Sequence, residues 1–397
     1  MSDFLLYLRN QNRRFLQFTR PVRDLIREGD MNTQSKSITS SQKTPVKGSS
    51  GNRWLVSNKV LAPAFLALLT VGHLLTTGAQ ASVQAQELDS AITCQQVRLA
   101  VSLQEGQPAT YQVTGQLCYK RNRNNIVHLL VSGATYGHVY WDFPVHPEFY
   151  SYVRALTGAG YATFNFDRIG IGDSDHPPAD QTTIGADAWV VHQVLQALRD
   201  GRIGSFSKVI LVGHSLGSGI SLSEQAKYGD ADGLILSGFL HAFGPGFAQV
   251  PAILYPAQLD PRFASENLPD GYFTTLPGSR PLFYFTPLAD PNVITVDEAN
   301  KETITIGEIN TFPPLVLSPS DSQSIHVPVL VAIGANDNVF CTPPQCGEAQ
   351  SEASWYPADT NLEVRVLPGS GHDLNLHYTA PAFFLMAAEW SVRHFGR

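Results

Sequence analysis

Six short, mostly aliphatic runs recur along the chain with amphipathic stretches between them, and this rhythm limits the possible folds more than any other feature. The runs are Ile126–Val131, Ala162–Phe166, Lys208–Val212, Gly233–Leu236, Val327–Ile333 and Leu362–Leu367. Strands this short and apolar are those of a sheet buried on both faces. Between them, Phe149–Ala159, Ala186–Arg199, Ser218–Tyr228 and Pro381–Phe395 carry apolar residues at helical spacing, and they read as crossover helices. The expectation is an α/β fold with a mostly parallel central sheet flanked by helices.

One interval breaks the rhythm. Phe239 to Ser324 separates two strands and is rich in Pro, Gly and aromatics, among them Phe243, Phe247, Tyr255, Tyr272, Phe273, Phe283, Tyr284 and Phe285. A structureless loop of that length is improbable inside a compact domain, so residues 239–324 read as an inserted subdomain. The core is then 86–238 with 325–397, and residues 1–85 are a leader.

The leader carries the basic charge: residues 1–59 hold 11 Lys/Arg against 4 Asp/Glu, while the whole chain is at −7. The body is therefore acidic and repels phosphate backbones, which excludes nucleic acid as a partner. The apolar run Val60–Leu75, followed by small residues up to Ala85, has the pattern of a secretory signal. It falls short of the roughly 20 apolar residues that span a bilayer. A secreted or periplasmic protein is expected, the alternative being a membrane anchor through residues 60–75. The four cysteines agree with export. Cys94 with Cys118, and Cys341 with Cys346, form two sequence-local couples that read as disulfides.

The chemistry is concentrated in Lys208–Gly217, KVILVGHSLG, where an apolar strand runs through Gly213-His214-Ser215-Leu216-Gly217 into a helix. This is G-x-S-x-G in the context that gives it meaning. The chain must reverse so sharply that side chains at 213 and 217 would collide, and Ser215 is held with its hydroxyl above the sheet. The helix that follows turns its first amides, that of Leu216 foremost, toward any oxyanion formed at Ser215. A serine hydroxyl needs a base to take its proton and an acid to orient that base. Of the 12 histidines, His372 is best placed, in the Gly-rich loop after the last strand; His377 reads as structural. Asp337 fits the acid, in the loop after Val327–Ile333, with Asp167 and Asp373 as rivals.

The order Ser, Asp, His and the segment Asn165–Ser174, NFDRIGIGDS, with its D-R-x-G-x-G-x-S turn, resemble the α/β-hydrolase superfamily in its lipase and esterase-like branch. The resemblance covers residues 95 to 397. It implies a second oxyanion amide in the loop after the strand Ile126–Val131, at Ala134 or next at Thr135, with Ser132 where the family commonly has histidine. It also implies that 239–324 is a lid, and that Asp167 and Arg168 are structural, paired with each other or anchoring loops. The expected activity is cleavage of carboxylic esters carrying an apolar group. Its rivals are other chemistry on the same scaffold, whether peptidase, lactonase, acyltransferase or peroxidase-like, or non-catalytic binding of an apolar ligand. No cofactor is called for, since Gly170-Ile171-Gly172 lacks the third glycine of a dinucleotide loop, and no metal-ligand cluster is legible along the chain.

Overall fold

The computed structural model of the protein describes residues 92–396. The leader, with its signal-like run and the boundary at residue 85, lies outside the described residues. Within them the strands in chain order are β1 (Ile92–Val101), β2 (Tyr111–Lys120), β3 (Ile126–Val131), β4 (Ala162–Phe166), β5 (Lys208–His214), β6 (Gly233–Ser237), β7 (Leu254–Pro256), β8 (Tyr272–Thr275), β9 (Ile304–Thr305), β10 (Val329–Gly334) and β11 (Leu362–Leu367). Eight of them form one sheet in the order β1-β2-β4-β3-β5-β6-β10-β11. From β4 to β11 every pairing is parallel, while β1 and β2 add an antiparallel edge. The central strands β3, β4, β6 and β10 are buried at every residue, as their unbroken apolar sequence requires.

Among the described residues the α-helices longer than four residues are α1 (Tyr152–Gly158), α2 (Ile184–Arg199), α3 (Leu216–Tyr228), α4 (Pro291–Ala299), α5 (Ile306–Val316) and α6 (Ala380–Phe395). Two expected boundaries shift for identifiable reasons. The stretch Phe149–Ala159 is not one helix, because Ser151 is extended at φ −99° and ψ 110° and its hydroxyl caps α1 by accepting from Arg154 N. The strand expected from Val327 begins at Val329, after Pro328, which has no N–H to give a ladder.

Cys94 and Cys118 face each other in the β1–β2 register, with Cα atoms 4.1 Å apart, and are bonded. Cys341 and Cys346 form the second disulfide. Replacing Cys94 and Cys118 together by Ser is expected to cost about 3 kcal/mol, by freeing the unfolded hairpin. Denaturant unfolding under non-reducing conditions measures this directly.

The interval 239–324 has structure of its own. β7, β8 and β9 make a small antiparallel sheet, and Tyr272 packs with Ala179, Ala257, Phe263 and Leu268. Thr305 and Glu308 close a capping box at the start of α5. Among the described residues no helix is long and apolar enough to cross a membrane.

Candidate active site

Ser215 sits between β5 and α3 at φ 54° and ψ −120°, a region that L residues avoid and that must be held by its surroundings. Its amide donates to Ser237 O of β6 at 2.8 Å. The two glycines are steric necessities. A Cβ on Gly213 would lie 2.4 Å from Ser218 Cα, and one on Gly217 would lie 2.2 Å from Val131 O.

His372 is buried, and its Nδ1 lies 3.0 Å from Asp337 Oδ2. Asp337 is itself fixed, since its Oδ1 accepts from the amides of Val339 at 2.8 Å and Phe340 at 3.1 Å. Burial depresses the His372 pKa, but the charge and hydrogen bond of Asp337, with Asp373 adding to them, outweigh it and leave the imidazole above its ordinary value. Ser215 and His372 line one cavity, although among the described residues no hydrogen bond joins the Ser215 hydroxyl to the ring. The rivals of Asp337 go elsewhere. Asp167 accepts from the amide of His138 at 2.8 Å and approaches its Nδ1. Asp373 lies below the site, accepting from the Tyr136 hydroxyl at 2.6 Å. Burial, with Asp297 nearby, pushes Asp373 up to about 7.

The loop Ser132-Gly133-Ala134-Thr135 passes directly over the serine turn: a Cβ on Gly133 would lie 3.1 Å from Ser215 Cβ. Ala134, Thr135 and Leu216 all face the cavity. With serine at 132 instead of histidine, this loop is held through contacts that the sequence did not specify. Arg168, fully buried, donates from Nε to Ser132 O at 3.0 Å and from Nη2 to Gly133 O at 3.3 Å, and it pairs with Glu308 and Asp187. Asp167 and Arg168 are therefore loop anchors and not each other's partners. Thr135 adopts φ 61°. Its hydroxyl accepts from Arg280 Nη1 at 2.8 Å and its carbonyl from Glu302 N at 2.9 Å.

Arg280 is the least expected member. It is wholly buried in the insertion, forks onto Asp297 through Nε at 2.9 Å and Nη2 at 2.7 Å, and lies 3.9 Å over the Tyr136 ring. The insertion holds the histidine loop as well. Phe283 O accepts from the amide of His372 at 3.0 Å. His377 Nε2 accepts from the amides of Phe285 at 2.9 Å and Gly371 at 3.1 Å, so its proton is on Nδ1, facing Asp373 O at 2.7 Å. His377 is structural, as expected. No signal in the sequence marks Arg280, because nothing local distinguishes it from a surface arginine.

The cavity encloses about 190 Å³. The insertion contributes Phe247, Phe283, Ile309 and Phe312 to its wall, and among the described residues no Asp, Glu, Lys or Arg lines it. The insertion's aromatics divide between two jobs: Phe247 and Phe283 face the cavity, while Tyr272 packs the insertion onto the core, against Ala179 and His176, and its hydroxyl donates to Pro177 O at 2.7 Å.

The fold has counterparts among known proteins. The fold is similar to that of a soluble variant of monoglyceride lipase from Saccharomyces cerevisiae, solved with a substrate analog, at 17% identity and a TM-score of 0.53, over 75% of this chain and 96% of that one. It is likewise similar to the monoacylglycerol lipase of Paleococcus ferrophilus, at 15% identity and a TM-score of 0.50, over 76% of this chain and 99% of that one. No curated protein matches the sequence. The sequence model of the alpha/beta hydrolase family matches residues 129–387. With that match spanning most of the chain, and with the sheet order and serine turn in agreement, the protein belongs to the alpha/beta hydrolase family.

Proposed function

We propose that the protein is a serine esterase acting on carboxylic esters with an apolar acyl or alcohol group. The observation that carries this reading is the serine turn and the His372–Asp337 pair opening into one apolar cavity. Ser215 attacks the ester carbonyl as His372 takes its proton through Nε2, while Asp337 orients the ring and stabilises the imidazolium. The Ser215–His372 contact closes with substrate in place, as catalytic hydrogen bonds commonly do. The amides of Ala134 and Leu216 receive the tetrahedral oxyanion. His372 then returns its proton to the leaving alcohol, and water activated by the same ring releases the acyl group.

The cavity favours an apolar ester: a charged substrate group would lose its hydration with no opposite charge on the wall to meet it. The monoglyceride lipases that share the fold act on glycerides by name, which agrees with this chemistry. Export in secreted or periplasmic form is proposed with it, on the signal-like leader and the two disulfides. The test is a series of p-nitrophenyl esters of rising acyl length. Turnover that increases with the first added methylenes is expected; turnover of peptide substrates alone would contradict the reading.

The pH profile gives a further expectation. His372 acts as a base only when neutral, so activity falls as pH drops through its pKa. With that pKa above the ordinary value of 6.5, the acidic limb of kcat/KM is expected above that pH. Asp337→Asn removes the main cause of the upward shift and the anchor of the ring, so the limb moves to lower pH and kcat falls roughly 10⁴-fold. A profile whose limb is unmoved by that substitution would contradict the role of Asp337.

A further inference from the structure

Away from the cavity, α2 and the end of α3 enclose a cluster of groups that no part of the esterase reading uses. His192 projects from α2, Glu224 from α3, and Asp230 follows the left-handed Gly229 that ends α3. His192 Nδ1 lies 2.9 Å from Asp230 Oδ2 and 3.8 Å from Glu224 Oε1. One donor atom from each residue falls within 4.8 Å of the others.

The hydrogen bonding is what makes this more than an acidic corner. Glu224 is 0% exposed and meets no donor from the rest of the chain, its carboxyl group facing that of Asp230; Asp230 Oδ1 and His192 Nδ1 are likewise buried with no donor or acceptor from outside the cluster. Four orphaned polar atoms converging on one point are costly unless something joins them. Two carboxylates and a neutral imidazole balance a doubly charged cation. The imidazole nitrogen selects a borderline first-row ion over magnesium or calcium, which take oxygen ligands. The surroundings also suit a fixed ligand set. The His192 ring packs against both Trp189 at 5.1 Å and Tyr228 at 4.3 Å, which also touch each other, and Gln196 Nε2 donates to Asp230 Oδ2, an outer contact of the kind that orients a ligand.

We infer that His192, Glu224 and Asp230 form a binding site for a zinc-class divalent ion, bound through His192 Nδ1 and one oxygen from each carboxylate, with water completing the tetrahedron. Bound there, the ion ties α2 to the far end of the helix that starts at Ser215. It stabilises the folded chain by the usual linkage, without entering the reaction. The ligands are 6 and 32 residues apart along the chain, which is why no metal spacing is visible in the sequence.

The test uses the full purified chain stripped with a chelator and titrated with Co²⁺, reading the visible absorption of a tetrahedral nitrogen–oxygen site, with Zn²⁺ and Mg²⁺ as competitors. One Co²⁺ per chain is expected, displaced by Zn²⁺ and not by Mg²⁺, together with a rise in Tm on adding Zn²⁺. Glu224→Gln and His192→Gln should each weaken binding on the order of 100-fold and abolish the Tm shift. Asp359→Asn, which removes an exposed His–Asp contact elsewhere, should change neither. Circular dichroism checks the fold of each variant, and Asp230→Asn replaces any that fails to fold. Absence of saturable Co²⁺ binding, or binding that is the same in the parent and in the ligand variants, would overturn the assignment.

Discussion

Replacement of Ser215 by Ala is expected to abolish ester turnover while leaving the protein folded. The loss in kcat should be on the order of 10⁶, because without the attacking oxygen the imidazole and the oxyanion amides have no intermediate to act on. The fold should survive for a structural reason. Ser215 is held at φ 54° by its backbone, through the amide bond to Ser237 O and the steric grip of Gly213 and Gly217. Alanine bears that conformation no worse than serine, so the stability change should stay within about 1 kcal/mol. Steady-state kinetics and thermal unfolding on the same preparation separate the two effects. Full turnover in the variant, or an unfolded variant, would contradict this account.

Arg280→Leu is expected to be strongly destabilising. It leaves Asp297 buried with no cation, and breaking a buried pair from one side costs about 3–5 kcal/mol, or roughly 6–10 °C in Tm for a domain of this size. It also deletes the donor to the Thr135 hydroxyl, so the oxyanion loop loses one of its two ties to the insertion. The other, from Glu302 N to Thr135 O, remains. Misplacement of the Ala134 amide should lower kcat on the order of 100-fold. The double substitution Arg280→Leu with Asp297→Leu distinguishes these effects. With the stranded carboxylate gone, Tm should largely recover, whereas kcat should not, because the loop tie is still missing. Recovery of both together would mean that Arg280 acts on stability alone.

The same clamp bears on how the insertion works. Arg280, Glu302, Phe283 and Phe285 make backbone or side-chain bonds to the oxyanion loop and the histidine loop. The insertion is thus a structural part of the site as well as its cover. An interval that breaks the strand rhythm could be recognised from composition, but its contacts could not. They join residues 89 to 167 positions apart, and a buried arginine has no local pattern by which to announce itself.

What was legible follows physical lines. The strands β3 and β4 fall where their apolar runs begin and end, because burial on both faces forces unbroken hydrophobicity; β11 keeps its expected bounds but, as an edge strand carrying Glu363 and Arg365, is largely not buried, contrary to the sequence expectation. The serine turn was legible because glycine is required at fixed offsets around it, and the structure supplies the collisions that require it. His372 and Asp337 could be placed only by their position after particular strands, and the structure brings them to 3.0 Å. The anchoring of loops by Asp167 and Arg168 was one of two roles open from the sequence, but their partners were not legible because distant segments supply them; the break at Ser151 was not legible because a single capping hydroxyl makes it.

Fluorophosphonate labelling followed by peptide mapping tests the nucleophile most directly. One adduct per chain is expected, on the peptide containing Ser215, with esterase activity lost in step with labelling and no adduct in the Ser215→Ala variant. An active protein that takes no label, or that carries it on another residue, would contradict the assignment of Ser215 as the group that attacks the ester.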